Sequence, residues 1–421
     1  MNDTRIPQLV DHLFRHESGK MKAALTRILG VNNLAIAEEI VQETLLKALQ
    51  TWPYHQIPDN PGAWLMQAAK NKAIDLIRKE RHRQSFARDY EALLQSEWTL
   101  VPTVDAAFAG QEIEDVQLRM MFVCCHPSLA DDVKIALTLH LLGGLTAREI
   151  GAAFLTSEAA MKKRLFRAKR KLQQGEIPFE IPRGKQLLSR LDSVLHVLYL
   201  MFNEGYHSSH SPAIVRGDLC GEALRLTRMV ADHPGLGLPQ VNALSALFCF
   251  HGARLPARIN PDGSVNLLKD QDRSLWNRSL LQLGTVHLAK ASSGDRVTRY
   301  HLEAGIAAQH SLAERFEDTD FPAILNLYDR LLELGPNPVI RMNRAVTLGY
   351  AESSQAAITA LAELEKEPSL SGYHLLPAML GEFHLQEGRC AEAARYFAKA
   401  IGLTSVPAEK RLLEEKLSAC G

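Results

Sequence analysis

The chain is short of several things that would each point to a class of protein. Its 421 residues include only six cysteines, Cys124, Cys125, Cys220, Cys249, Cys390 and Cys420, too few and too scattered for a disulfide framework. Reduced thiols and a cytoplasmic location are therefore expected. No run approaches the roughly 18 uninterrupted apolar residues that a membrane span needs. The start, MNDTRIPQLVDHLF, lacks the basic-then-apolar order of a signal peptide. A Gly-rich phosphate loop, a nucleophile elbow and a paired-carboxylate motif are also missing. Cys124, Cys125 and His126 stand together, and His207 and His210 lie further on. No second pair at ligand spacing accompanies them, so a buried cysteine pair is expected rather than zinc. Neither a metal nor a cofactor is anticipated. Alternating apolar–polar runs are scarce too. Nearly every segment repeats its apolar residues every three to four positions, which predicts an all-α protein. The exception is RINPDGSVNLL, where Pro-Asp-Gly supplies turn chemistry for a hairpin.

Net charge is absent as well, with 48 basic and 48 acidic residues, but the charge is unevenly dealt. Residues 70–88 carry seven Lys and Arg against two acids, residues 89–118 carry seven acids and no Lys or Arg, and residues 158–173 return to seven cations against one acid. Basic, acidic, basic is not the pattern of random dispersal.

The second basic segment, MKKRLFRAKRKL at 161–172, reads as an amphipathic helix. At about 100° per residue, Met161, Leu165, Ala168 and Leu172 form one narrow stripe. Lys163, Arg167 and Arg170 then point away, with Lys162, Arg164, Lys169 and Lys171 on the flanks and Phe166 outward. Upstream, Thr146 and Glu149 have capping-box spacing, Ile150 and Phe154 are expected to face inward, and Ser157 is the expected cap of the basic helix. Helix, short turn and basic helix make a helix-turn-helix pattern, although the turn carries Leu155 where many such motifs have Gly. A merely solvated helix remains open from the run alone. A membrane-surface helix fits less well, because the apolar stripe is too narrow for insertion.

The first basic segment, AWLMQAAKNKAIDLIRKERHR, joins cations that can neutralise phosphates to the amides Gln67 and Asn71, which can meet unpaired bases. Its helix is predicted over 62–82, with Trp64 mainly in the core. Before it, residues 34–52 predict a helix that buries Ala37, Val41, Leu45, Ala48 and Trp52. TWPYHQIPDNPGAW then breaks that helix with three prolines.

AEEIVQETLLKALQTW followed by NPGAWLMQAAKNKAIDLIRKERHR resembles region 2 of the extracytoplasmic-function (ECF) sigma factors of bacterial RNA polymerase. DDVKIALTLHLLGGLTAREIGAAFLTSEAAMKKRLFRAKRKL resembles their region 4. The remaining half is similar to the long C-terminal extension of one sigma subgroup, through LYLMFNEGYHSS, DLCGEALRLTRM, DQDRSLWN and NPVIRMNRAV. Its end places Leu380, Gly381, Ala393, Phe397 and Ala400 at tetratricopeptide spacing.

The resemblance implies a non-enzymatic initiation factor whose partners are core RNA polymerase and promoter DNA, with a regulatory protein as a further partner of the extension and no membrane. Glu38, Glu39, Gln42 and Glu43 would dock on the polymerase. Asn71, Lys72, Asp75, Arg78, Lys79, Arg81 and Arg83 would hold the −10 element. Arg148, Ser157, Lys162, Lys163, Arg164, Arg167 and Lys169 would meet the −35 element. The implied division is region 2 over 1–84, an acidic linker over 85–118, whose weak periodicity allows one short helix, and region 4 over 119–174. A joint over 175–186, a family-specific extension over 187–310 and tetratricopeptide-like repeats over 311–421 follow. Two other readings stay open on the residues: a helix-turn-helix repressor or activator that works without polymerase, and a repeat scaffold whose DNA half is vestigial.

Overall fold

The structure, a computed structural model, describes residues 5–55, 57–80, 94, 96–153, 156–175, 177–206, 215–260 and 264–421. Among these the regular structure is helical, and the expected hairpin reduces to one antiparallel bridge, Ile259 with Val265. Chain contacts divide the protein into two compact units, Met1–Met201 and Phe202–Gly421.

The first unit opens with α1 (Arg5–Leu29), α2 (Leu34–His55) and α3 (Pro61–Glu80). Ala37, Val41, Ala48 and Trp52 of α2 are buried as their spacing requires, and Leu45 is half-buried. The helix does not stop at Trp52. Pro53 lies inside it, and the helix runs on to His55. Proline there withholds one hydrogen bond from the last turn, where Leu49 is exposed and water can replace the missing donor. α3 starts where Asn60 caps it, its Oδ1 accepting from the Ala63 amide at 3.0 Å, with Pro61 in the first turn as helices favour. Trp64 is half-buried and meets Trp52 edge-on at 5.6 Å.

The acidic stretch is not a simple tether. Helices α4 (Glu97–Ala107) and α5 (Gly110–Cys124) occupy most of its second half. Leu94, Leu100, Val104 and Ala107 are buried in the same core as α1, α2 and α3. Leu100, Val104 and Ala107 repeat at helical spacing, and Asp105 and Glu114 are exposed, so the charge obscured the pattern. Burying a Leu or Val side chain contributes roughly 1.5–3 kcal/mol, enough to hold the segment against α1, α2 and α3. Lys70 adds an ion pair to Asp105 at 3.0 Å. Residues 85–93 lie outside the described residues.

α6 (Asp131–Leu141), α7 (Ala147–Ala153) and α8 (Glu158–Gln174) complete the helix-turn-helix module. It packs directly on α1. The approach is so close that a Cβ at Gly19 would stand 2.2 Å from the Leu142 carbonyl oxygen, so only glycine fits there. Helix α9 (Lys185–Tyr206) crosses the boundary between the units. Residues 175–186 lie within the first compact unit. Ile177 is buried, and Arg190 donates to the Phe122 carbonyl, tying the start of α9 to the first unit.

In the second unit Phe202 stacks on Phe248 at 4.1 Å. The DQDRSLWN stretch acts as a tie: Arg273 donates to the carbonyls of His310 and Ala313 at 2.9 and 2.7 Å, Trp276 is buried, and Asn277 caps the next helix. Most of FNEGYHSSHSP, with His207 and His210, lies outside the described residues. Toward the end, helix pairs repeat: α10 (Pro338–Ala351) with α11 (Ser354–Leu364), then α12 (Leu375–Gln386) with α13 (Cys390–Leu403). Leu380, Ala393, Phe397 and Ala400 are fully buried. A Cβ at Gly381 would come within 2.8 Å of the Phe397 ring, so that glycine sets how closely α12 and α13 approach.

Candidate nucleic-acid interface

Helix α8 bears out the wheel drawn from its sequence. Met161, Leu165, Ala168 and Leu172 are buried. Lys162, Lys163, Phe166, Arg167 and Arg170 are exposed. The capping residues act as their types dictate: the Glu149 amide donates to Thr146 Oγ1 at 3.2 Å, the Thr146 amide to Glu149 Oε2 at 2.8 Å, and the Ala160 amide to Ser157 Oγ at 3.2 Å. Ile150 is buried and Arg148 is exposed. Phe154 and Leu155 lie outside the described residues.

The seven cations of the segment are not equivalent. Lys162 pairs with Glu158 at 2.6 Å, Arg164 with Asp132 at 3.1 Å, and Lys171 donates to the Ser128 carbonyl. Among the described residues Lys163, Arg167 and Arg170 make no ion pair. They stand one turn apart on the outer face.

On α3, Asn71, Asp75, Arg78 and Lys79 are exposed along one side, and Gln67 Nε2 donates to Asn71 Oδ1 at 2.9 Å. Arg81 and Arg83 lie outside the described residues. Lys72 is half-buried and its Nζ bonds Glu43 Oε2 on α2, so a residue expected at DNA and one expected at polymerase hold each other.

On α2, Glu39, Gln42 and Glu43 are exposed. The outer stripe continues through Leu46, 54% exposed, and Leu49, 49% exposed. Sequence reasoning missed both leucines, although their spacing from Gln42 (i+4 and i+7) puts them on the same face. The edge thus begins acidic and ends in two exposed leucines.

Glu38 does not share that edge. Its side chain is only 13% exposed, and it points into the seam between α2 and the helix-turn-helix module. Lys169 Nζ donates to both its oxygens, at 2.8 and 2.6 Å, and His140 Nε2 lies 2.8 Å from Oε1. Lys22 of α1 donates to the His140 carbonyl at 2.8 Å, and His140 Nδ1 faces the Leu145 carbonyl at 2.8 Å. Neither Glu38 nor Lys169 stands free for polymerase or DNA in this conformation, because two modules close over them.

The electrostatics follow from that burial. Desolvation opposes charge on Glu38, but the His140 hydrogen bond, Lys169 and Lys22 outweigh it and hold the carboxyl down to about 2. Burial brings Lys22 down to about 8, against the pull of Glu38. Burial also lowers His140, helped by Lys22, while Glu38 favours its proton.

The cysteine pair is inert. Cys124 and Cys125 are fully buried, and burial pushes the Cys125 thiol up to about 12. Among the described residues no group of three or more metal-ligating side chains gathers.

Comparison with known proteins agrees with the two basic modules. Residues 13–83 match sigma-70 region 2, residues 119–172 match sigma-70 region 4, and residues 190–292 match a family of unknown function, DUF6596. An uncharacterized protein of Rhizobium meliloti is 38% identical over 390 residues, 91% of this chain and 90% of that protein. RNA polymerase sigma factor CarQ of Myxococcus xanthus is 29% identical over 175 residues, 41% of this chain and 93% of that protein. ECF RNA polymerase sigma factor SigM of Bacillus subtilis is 28% identical over 139 residues, 33% of this chain and 78% of that protein. No solved structure matches.

Sigma-70 regions 2 and 4 in this order, on an all-helical frame, define an RNA polymerase sigma factor. The chain belongs to the ECF sigma factors, as a member with a long C-terminal extension.

Proposed function

We propose that the chain works by binding rather than by catalysis, and that its surfaces divide the work of promoter-specific initiation. The edge Glu39, Gln42, Glu43, Leu46 and Leu49 docks on core polymerase, with carboxylates that steer a basic partner and leucines that bury against it. Asn71, Asp75, Arg78 and Lys79, with Lys72, Arg81 and Arg83, hold the opened −10 strand. The N-terminal part of α8, from Ser157 to Arg164, reads −35 base edges, and Lys163, Arg167, Arg170 and Arg148 position the duplex on its phosphates. The extension regulates this activity through protein contacts, its repeated helix pairs offering the kind of surface such modules use. Among the described residues no helix is long and apolar enough to cross a membrane, which suits a factor that works beside the polymerase in the cytoplasm.

The observation that carries this reading is the pair of basic helices, α3 with Arg78 and Lys79 exposed and α8 with Lys163, Arg167 and Arg170 exposed, in one unit with the bare acidic–apolar edge of α2. Run-off transcription with core polymerase tests it. Promoter-dependent transcripts that appear only with this chain are expected. A helix-turn-helix repressor would bind the same duplex and give none. Truncation after Met201, the end of the first unit, is expected to change the transcript yield, and an unaltered yield would remove the regulatory role of the extension.

A further inference from the structure

The terminal helices turn matching stripes toward one cavity. On α12, Leu375, Ala378, Met379 and Glu382 follow the spacing i, i+3, i+4 and i+7, which places them on a single face. The same spacing recurs on α10, ending at Tyr350, and on α14 (Pro407–Ser418), ending at Lys416. All three stripes line a cavity of about 370 Å³, which lies wholly within the second unit. Small-molecule sites have volumes of roughly 300–1,000 Å³ and join apolar walls to a few convergent polar groups.

This cavity has both. Phe316, Phe321 and Tyr350 form an aromatic wall: Phe316 meets the other two edge-on at 5.4 and 5.2 Å, and Phe321 stacks on Tyr350 at 5.1 Å. At the corner where the stripes end, Glu382 accepts from Lys416 at 2.6 Å and from Lys269, which arrives from the segment before DQDRSLWN. Glu382 is 12% exposed and the two lysines 22% and 29%, so water reaches the corner poorly. Two cations on one carboxylate leave a surplus positive charge there. Asp270, the other acid acting on Lys269, is exposed to solvent. Glu409, the other acid lining the cavity, stands two turns of α14 away, where it accepts from Thr404 Oγ1 at 2.6 Å and faces His374 at 3.1 Å. Each ammonium has three donors, and among the described residues each bonds Glu382 alone. His310 also lines the cavity, and its buried Nδ1 meets no hydrogen-bond partner among the described residues.

We propose that this cavity binds a small aryl carboxylate, its ring against Phe316, Phe321 and Tyr350 and its carboxylate on Lys269 and Lys416. At roughly 30 Å³ per water-sized group the cavity takes about a dozen non-hydrogen atoms, the size of a one-ring acid with a short chain. A neutral aromatic gains the wall without the corner, and a cation meets the surplus charge. The occupant's carboxylate competes with Glu382 for the same two ammoniums. The site goes beyond the protein contacts proposed for the extension, and it stands whether or not the DNA-facing helices act on promoters.

Isothermal titration calorimetry of the full chain with cinnamate, and with its neutral analogue cinnamamide, tests the site. Cinnamate is expected to bind with a dissociation constant of about 0.1–1 mM. Cinnamamide should bind about tenfold more weakly, the worth of one charge-assisted hydrogen bond. Lys269→Gln and Lys416→Gln should each weaken cinnamate by about the same factor and leave cinnamamide unchanged. Glu382→Gln, which frees both ammoniums, should instead tighten cinnamate several-fold. If a variant fails to fold, the unsubstituted chain still decides. Cinnamate at about ten times its dissociation constant should slow acetylation of Lys269 and Lys416 about tenfold, read by mass spectrometry, while exposed Lys163 reacts at an unchanged rate. The proposal is overturned by the absence of saturable cinnamate binding up to about 10 mM, by equal affinity for the two probes, or by binding that protects neither lysine. A folded Glu382→Gln that binds cinnamate no more tightly than the parent overturns it as well.

Discussion

Replacing Lys163, Arg167 and Arg170 together with alanine should change the salt dependence of DNA binding by a calculable amount. Each cation that neutralises a phosphate contributes about −0.9 to the slope of log affinity against log salt. Three such cations contribute about −2.7. Between 50 and 200 mM salt the parent should therefore lose roughly 40-fold more affinity than the triple variant. The structure selects these three among seven, because Lys162, Arg164 and Lys169 already lie 2.6, 3.1 and 2.6 Å from carboxylates. Lys169→Gln is the sharpest control: its charge is already balanced by Glu38, so its slope should match the parent within about 0.3. The assay is fluorescence anisotropy of a labelled duplex with the −35 element, titrated with the full chain at several salt concentrations. The assignment is refuted if the triple variant moves the slope by less than about 1, or if Lys169→Gln moves it as much as Lys163→Gln does.

Three further outcomes are expected. Leu46→Asp and Leu49→Asp, at exposed sites, should weaken polymerase binding about tenfold in a pull-down titration while stability stays within roughly 0.5 kcal/mol; a large loss of stability would show that the leucines pack inside the protein. Gly381→Val should push against the Phe397 ring and cost about 1–3 kcal/mol, seen as a melting transition of the second unit lowered by roughly 3–10 °C, and an unchanged transition would mean that α12 and α13 are not as close as the structure places them. The pH dependence follows from Glu38 and Lys22, whose pKa values both lie below their ordinary ones. Glu38 falls from 4.5 to about 2, so its stabilisation is complete above about pH 4.5 and is lost as pH falls towards 2, a loss on the order of 3 kcal/mol. Lys22 falls from 10.5 to about 8, so stability of the first unit should rise as pH climbs between those values. Urea midpoints of the first unit measured from pH 2 to 10.5 check both limbs, and Glu38→Gln should flatten the acidic one.

Much of this was legible in residue order. The stripe Met161, Leu165, Ala168 and Leu172, the Thr146–Glu149 box, the Ser157 cap and the small residues of the terminal helix pair all depend on neighbours three or four positions away. Helical geometry makes such relations local, so spacing alone reveals them. The acidic stretch was harder to read. Its weak periodicity suggested a linker, but Leu100, Val104 and Ala107 are enough to dock a helix, because burial depends on where apolar side chains sit rather than on the average polarity of a segment. The helix through Pro53 was missed for a related reason: proline removes one bond, and packing of Trp52 and its neighbours outweighs it.

The sequence by itself determined the class of fold, the order of the two basic modules and which face of α8 is cationic. Only the tertiary structure decided which charges are available. Glu38 and Lys169 are 131 residues apart, and Glu43 and Lys72 are 29 apart, so nothing in local spacing relates them. Coulomb attraction acts through space and grows as water is excluded. Whether a lysine meets a phosphate or a buried carboxylate is therefore settled by how α1 brings the two modules together, not by the run of cations in which it occurs.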